Sequence, residues 1–556
     1  MFLPDGSGFN HVNVKTRLLT LGAIALALAM PAKVLSAQKR PNIVIMLADD
    51  MGYSDIGCFG SEIPTPNLDK LAADGLRFSQ FYNTPRCSPT RAALLSGLYS
   101  QQAGMGWLDN KVEPDSRGFH GVLLPRCVTI AEVLGSQGYF TAMTGKWHLG
   151  QQHGCVPWEH GFMRSLNSRF GEVYFPVETN RPGTENLYLN GKEIPKTSPI
   201  FGTNWYSTDL FVDWGLKFID EARAEKKPFF LYIAQGAVHF PLRAPADVIA
   251  KYRGKYMKGW DELRLERHAK QIKLGIVDEK WPLAPRPEDC PAWATRTEAQ
   301  QERFDQIMAA YAAMVECLDR SMGRLVDGLK ERGELDNTLI IFLSDNGGNA
   351  ESGPHGMTQG EPIGGPFSRV MLGMNWATLA NTPFRRYKHF THEGGISSPF
   401  IVYWPNGISA DRRGKIEKQP GHVIDLMATA VDLAGAKYPK EFKGNAIIPM
   451  QGVSLRPAFQ GKPLARKEPI FWEHEGNKAV RDGKWKLTQK WHGDWELYDL
   501  ENDRTELHNV IAGHGDVAKR MESAWKKWAD KSFVDEWPGP DHNNWGGDIG
   551  AANKKK

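Results

Sequence analysis

The chain has 556 residues, 68 Lys and Arg against 64 Asp and Glu, and a formal net charge of +4. Its length exceeds one ordinary domain and leaves room for a large core, and so slight a charge gives no ground for a nucleic-acid or anionic-membrane partner. Six cysteines, Cys58, Cys87, Cys127, Cys155, Cys290 and Cys317, contain no Cys-x-x-Cys pair, which argues against a zinc ribbon or a thioredoxin-like site.

Lys15 and Arg17 precede an apolar run from Leu18 to Met30, followed by the small residues of Val34-Leu35-Ser36-Ala37. The run is shorter than the ~20 apolar residues of a spanning helix, so residues 1–37 read as a cleavable signal peptide and the mature chain as one without a membrane span. A periplasmic or secreted location is expected. Asn42 to Ala48 is a short, nearly continuous apolar run that stops abruptly at Asp49-Asp50, the pattern of a parallel strand buried on both faces. Thr65 to Gly75 predicts a helix, with an N-cap Thr, Pro66 in the first turn and a terminal Gly. Cys87-Ser88-Pro89-Thr90-Arg91 opens a second helix, which Gly97 can end. Phe229 to Ala234 is another buried-strand run and leads to His239. Ile307, Tyr311, Met314, Leu318, Met322, Leu325 and Leu329 recur at three- and four-residue spacings and define one apolar helix face. Thr338 to Ser344 and Pro399 to Trp404 are two more strands, the first ending in Asp345-Asn346-Gly347-Gly348. Val423 to Ala434 reads as a helix stopped by Gly435.

Beyond Gly452 to Pro463 the texture changes to short strands, Pro469 to Trp472, Lys478 to Arg481, Lys484 to Thr488 and Trp495 to Asp499, then a helix from about Val517 to Lys531. The expected fold is α/β, a large mixed, mostly parallel sheet with helices on both faces, plus a smaller C-terminal antiparallel sheet with a helix. The expected division is a signal peptide at 1–37, a catalytic α/β domain at 38–455, a C-terminal α+β subdomain at 456–540 and a flexible tail at 541–556.

In open α/β sheets ligands bind beyond the carboxyl ends of the strands. Asp49, Asp50, Asp345 and Asn346 all fall there, and three acids brought to one edge repel one another unless a cation sits among them. An all-oxygen set suits a hard ion such as calcium or magnesium. A single Asp at such a place is more often a turn or cap residue; convergence of two strand ends is what favours a metal. Cys87 at a helix N-terminus meets backbone N–H groups that favour an anion, and Arg91 in the same turn offers a bidentate donor to sulfate or phosphate oxygens. Lys146 and His148 are two residues apart, so on an extended segment both face one pocket.

The Cys87-x-Pro89-x-Arg91 element resembles the signature of sulfatases, enzymes of the alkaline phosphatase superfamily in which this cysteine becomes formylglycine. Residues from about Arg40 to Val510 follow the family in order, through Asp49-Asp50, Gly145-Lys146-Trp147-His148-Leu149-Gly150, Ala237-Val238-His239, Asp345-Asn346-Gly347 and Lys388 with Glu393-Gly394-Gly395. The resemblance implies one calcium ion on Asp49, Asp50, Asp345, Asn346 and the modified Cys87, and an arylsulfatase-like hydrolysis of sulfate monoesters, of aryl groups or carbohydrates. An aldehyde hydrate offers one hydroxyl for in-line attack on sulfur and a second to expel sulfate. His148 then serves as base, His239 as the acid for the leaving oxygen, Lys388 assists it, and Lys146 and Arg91 neutralise developing charge. The implied partners are a sulfated small molecule or glycan as substrate and a formylglycine-generating or sulfatase-maturing enzyme.

Ser165 and Ser168 are candidates for a further sulfate contact, His153 and His160 for substrate recognition, and Arg385 and Arg386 for admitting an anion. Glu473-His474-Glu475-Gly476 lacks the His-Glu-x-x-His spacing of a helical metal site and reads as structural, with a place on the pocket rim as the alternative. A phosphate or phosphonate ester hydrolase of the same superfamily is the alternative, and a non-catalytic glycan-binding protein a more distant one.

Overall fold

A computed structural model describes residues 40–537 except 111, 114 and 180–185; the expected signal peptide at 1–37 and flexible tail at 541–556 lie outside the described residues. In chain order, the elements around the site begin with β1 (Asn42–Ala48), α1 (Pro66–Asp74), β2 (Leu76–Tyr82), α2 (Cys87–Ser96), α3 (Ile130–Ser136), β3 (Phe140–Lys146) and β4 (Arg164–Ser168). Next are β5 (Asn186–Leu189), β6 (Lys192–Pro195), α4 (Ser207–Ala224), β7 (Phe229–Ala234), α5 (Glu298–Glu331), β8 (Thr338–Ser344), β9 (Ser397–Tyr403), β10 (Lys415–Glu417), β11 (Gly421–His422) and α6 (Asp425–Ala434). The C-terminal part adds β12 (Ile470–His474), β13 (Asn477–Asp482), β14 (Trp485–Gln489), β15 (Trp495–Asp499) and α7 (Gly515–Lys531).

Because β1 carries no polar face, it can only lie inside a sheet covered on both sides. Val44, Met46 and Ala48 enter one core and Ile43, Ile45 and Leu47 the other. The eleven-stranded sheet runs β10-β2-β9-β8-β1-β7-β3-β4-β5-β6, with β11 beside β2. Strands β8, β1, β7, β3 and β4 are parallel neighbours, while β9 lies antiparallel to β8 and β2. Helices α4 and α5 cover one face through Phe211, Ile219, Ile307, Met314, Leu318 and Leu325. On the other, α2, α3 and α6 contribute Leu94, Leu134 and Leu426, and Met521 of α7, which packs on β13 and β14, joins the same core. The second sheet is antiparallel in the order β12-β13-β14-β15.

Two local expectations change. The Thr65 hydroxyl does not cap α1; it accepts the Gly57 N–H at 2.7 Å and donates to Asp69 at 3.1 Å. Strand β9 starts at Ser397 rather than Pro399, and its pairing with β2 shifts register between Ser398 and Phe400, where a proline without an N–H is tolerated. All six cysteines are buried thiols without a disulfide.

Candidate active site

Register builds the site. Ala48 aligns with Ser344, and Leu47 and Gly145 both align with Ala234, so Asp49, Asp345 and Lys146 leave the sheet at the same edge. Helix α2 is held against that edge by Thr90, whose hydroxyl donates to the Asp345 carbonyl at 2.7 Å. The helix starts at Cys87 and closes with Gly97 at φ +69°, a C-cap conformation that glycine adopts without strain.

Beneath Cys87 the acids and cations interlock. Lys146 Nζ is 2.6 Å from Asp49 Oδ2, Arg91 Nη2 is 2.8 Å from Asp345 Oδ2, and Lys388 Nζ is 2.8 Å from Asp50 Oδ1. Asn346 Nδ2 donates to Asp50 Oδ1 at 2.7 Å and Asn349 Nδ2 to Asp50 Oδ2 at 2.7 Å. Asp49 Oδ1 and Asn346 Oδ1 are buried yet accept no hydrogen bond. Asp49, Asp50 and His239 bring donor atoms within 4.8 Å of one another. Two orphaned buried oxygens in a cluster of carboxylates cost free energy unless a cation takes their lone pairs, so the donor set fits a hard metal ion.

Electrostatics at this edge hold Asp49 and Cys87 negative and set Asp345 apart. Burial alone would raise the Asp49 carboxyl, but Lys146, His239, Arg91 and Lys388 hold it far below the usual carboxylate range. Burial and the Asp49 charge push Asp345 well above that range despite Arg91. Cys87 shows the same pull: burial opposes it, yet Lys146, His148 and Lys388 draw the thiol down to about 5. Burial also disfavours a charged His148, but Asp109 and Cys87 lift it to about 9.

Around residue 87 is a small pocket of about 100 Å³ lined by Arg86, Cys87, Lys146, His148, His239, Glu351 and Lys388, among others. His148 Nδ1 lies 3.4 Å from Cys87 Sγ, and its Nε2 lies 3.2 Å from Asp109 Oδ1. His239 Nδ1 faces the Phe240 carbonyl at 2.6 Å; a carbonyl only accepts, so the proton is on Nδ1 and Nε2 faces the cluster, 3.5 Å from Asp50.

Over residues 41–436 the chain matches the Sulfatase family, and over 385–531 the family described as N-sulphoglucosamine sulphohydrolase, C-terminal. The chain belongs to the sulfatase family. It is 34% identical to an arylsulfatase of Klebsiella aerogenes over 468 residues, covering 81% of this chain and 98% of that one. To the N-acetylgalactosamine-6-sulfatase of Mus musculus it is 30% identical over 522 residues, 89% of this chain and 79% of the other. The solved structure of Ps i-CgsB in complex with k-i-k-neocarrahexaose superposes with a TM-score of 0.65 at 26% identity, covering 93% of this chain and all of that one. The sulfatase fold and activity, hydrolysis of sulfuric esters, follow from these matches.

The structure places Asp49, Asp50, Cys87, Lys146, His148, His239, Asp345, Asn346 and Lys388 at one edge of the sheet, and two arrangements differ from expectation. Arg91 is fully buried and does not line the pocket; its guanidinium is engaged by Asp345, by Asp49 at 3.5 Å and by the Lys146 carbonyl at 3.1 Å. It therefore supports the acid cluster, and Arg86, one residue before Cys87, is the arginine that meets the pocket. His148 is not on an extended segment: strand β3 ends at Lys146 and His148 has φ +53°. Ser165, Ser168, His153, His160, Arg385 and Arg386 do not line the pocket. His153 instead contacts the Asp109 carbonyl at 3.0 Å and His160 contacts Cys155 Sγ at 3.1 Å.

Asp109, Asn349 and Glu351 were not anticipated. Glu351 is 2.8 Å from Arg86 and 3.9 Å from Lys388, and those two cations carry its carboxyl against the effect of burial down to about 2. Asp109 orients the ring that faces residue 87. Asp109→Asn keeps the shape and loses the charge, so kcat is expected to fall on the order of 100-fold with KM little changed. Steady-state kinetics check this; an unchanged kcat would remove the Asp109–His148 pair from the chemistry.

Proposed function

We propose that this sulfatase is exported and hydrolyses sulfate monoesters of carbohydrates, with formylglycine at position 87 and one calcium ion held by Asp49, Asp50, Asp345, Asn346 and residue 87. One observation carries the reading: Cys87 faces a pocket ringed by Lys146, Lys388, His148 and His239, directly above a carboxylate cluster with two orphaned oxygens. The hydrated aldehyde would supply a hydroxyl nucleophile and a second hydroxyl for sulfate expulsion, and the cation would polarise the oxygens it touches.

The chain's own residues supply the rest. Lys146 and Lys388 neutralise charge that builds up on residue 87 and on sulfate oxygens, in a buried setting where they need no reorganisation. With formylglycine at 87 the thiolate charge that helps lift His148 is absent, and the neutral ring's Nδ1 is placed to take a proton from residue 87, steadied by Asp109. His239 Nε2 faces the pocket, and with Nδ1–H held by the Phe240 carbonyl it would be the donor to the leaving oxygen when the ring carries its second proton on Nε2. The relationship to a protein named N-acetylgalactosamine-6-sulfatase and to Ps i-CgsB, solved with a carbohydrate, supports a sugar substrate, and the relationship to a protein named arylsulfatase keeps an aryl ester as the alternative. The leader at 1–37 supports a periplasmic or secreted location, and among the described residues no helix is long and apolar enough to cross a membrane.

The deciding experiment is peptide mass spectrometry across Cys87 of the active protein, run beside a sulfate-release assay on matched sulfate and phosphate esters. A mass loss of roughly 18 Da with faster sulfate release is expected. An intact thiol in fully active protein would overturn the formylglycine reading, and faster phosphate release the ester class.

A further inference from the structure

The tip of the first C-terminal hairpin enters the protein beside the pocket. Strands β12 and β13 pair His474 with Asn477, leaving a two-residue turn of Glu475 at φ +47° and Gly476 at φ +78°. Such a turn favours Asn, Asp or Gly, because a residue with a longer side chain is strained at positive φ. Glu475 is nevertheless there, only 3% exposed. Its Oε1 accepts the Trp107 indole N–H at 2.8 Å, and its Oε2 lies 2.7 Å from His389 Nδ1.

The proton on His389 can be placed. Asn477 Oδ1 accepts the Trp491 N–H at 3.2 Å, which fixes the amide orientation, so Asn477 Nδ2 is the group facing His389 Nε2 at 3.3 Å. An amide nitrogen only donates; Nε2 therefore accepts, and Nδ1 carries the hydrogen toward Glu475. His389 is itself at φ +91°, and its backbone N–H donates to the Pro85 carbonyl at 2.8 Å. Two buried side chains in opposed strained conformations, meeting through a charged contact, are what a functional constraint produces and simple packing does not.

Each contact leads to a pocket residue. His389 follows Lys388, Trp107 stands two residues before Asp109, which orients His148, and Pro85-Arg86 precede Cys87. Burial disfavours the Arg86 cation, and Glu475, after Glu351, adds to the negative field that holds it charged. We propose that Glu475 is a positioning residue: the hairpin tip delivers its carboxylate to His389 and Trp107, and through them sets Lys388 and the Asp109–His148 pair around residue 87. This rests on the proposed roles of Lys388 and His148. His389, His474 and Glu475 bring donor atoms within 4.8 Å of one another; Glu475 Oε1 accepts the Trp107 N–H, and Oε2 lies 2.7 Å from His389 Nδ1.

The test compares Glu475→Gln and His389→Gly with the parent, each with the state of residue 87 confirmed by mass spectrometry. In both, kcat is expected to drop on the order of 100-fold, the scale of an ångström-sized misplacement, with KM little changed. Glycine adopts φ +91° without strain, but His389→Gly also leaves a cavity and a buried Glu475 without this partner, so its melting temperature is expected to fall, and kcat is read at a temperature where the variant is fully folded. A crystal structure of Glu475→Gln is expected to show Lys388 Nζ withdrawn from its 2.8 Å contact with Asp50 Oδ1. Parent-like kcat in both variants, or a lowered melting temperature with kcat intact and Lys388 in place, would overturn the positioning role. If the parent proves active with an unmodified thiol, the formylglycine reading fails, and the position of Lys388 still decides this one.

Discussion

Cys87→Ala is expected to abolish sulfate release, with kcat down by at least about 10⁴-fold, while the fold and its response to calcium persist. The side chain at 87 lies 3.4 Å from His148 Nδ1, and no other thiol or hydroxyl lines the pocket among the described residues. Helix α2 does not depend on it. Alanine is a strong helix former, the helix start is tied to β8 by Thr90, and its end is closed by Gly97. Arg91 stays locked on Asp345, and Asp49, Asp50, Asp345 and Asn346 keep their oxygens. The variant should therefore retain most of its calcium-dependent rise in melting temperature, and a chelator should remove that rise in variant and parent alike. Inorganic sulfate release and thermal melts with and without calcium measure both halves. Turnover in the variant would take residue 87 out of the reaction; loss of the calcium response would make it a structural residue first.

How much of this was legible in the sequence follows from what buries each segment. Strands β1, β7 and β8 are apolar on both faces because helices cover both, so their composition alone marks them and places Asp49, Asp50, Asp345 and Asn346 at their ends. Strand β3 carries the same burial, yet its sequence, Phe140-Thr141-Ala142-Met143-Thr144-Gly145-Lys146, has two threonines and a glycine and makes no apolar run. The glycine is explained by close approach: a Cβ at Gly145 would lie 1.9 Å from the Ala234 carbonyl oxygen. Lys146 and His148 were therefore reached through family likeness, and the extended geometry expected for them fails where the chain turns left-handed at His148. Asp109, Arg86 and Glu351 had no periodic or spacing signal, because loops converge through tertiary packing that local patterns do not encode. Glu473 to Gly476 was read as structural for want of a metal spacing; only the turn geometry and the buried contacts of Glu475 connect it to the pocket.

The junction between the two sheets rests on buried charge, which makes Glu393→Gln the substitution with the largest expected cost in stability. Glu393 is fully buried, with Oε1 2.9 Å from Lys486 of β14 and Oε2 2.9 Å from Arg504 beyond β15. The Tyr82 hydroxyl of β2 and Ser397 of β9 donate to Oε2 at 3.1 and 2.9 Å, and Lys486 also meets Glu506 at 2.8 Å. Neutralising Glu393 leaves two buried cations with one carboxylate, and breaking a buried pair of this kind costs roughly 3–5 kcal/mol. Burial pushes the Glu393 carboxyl up, but Lys486, Arg504 and Arg481 prevail and bring it to about 2. Between that value and the ordinary 4.5, the unfolded chain holds a proton that the folded chain does not, so this contribution is complete above about 4.5 and is lost as pH falls toward 2. Glu506, lifted above the usual glutamate range by burial, offsets part of it at higher pH. Urea unfolding of parent and variant should therefore differ most near neutrality and converge in acid. A difference below about 1 kcal/mol, the range of an exposed pair, or one that ignores pH, would show that the cluster is solvated and that the sheets are joined by apolar packing alone.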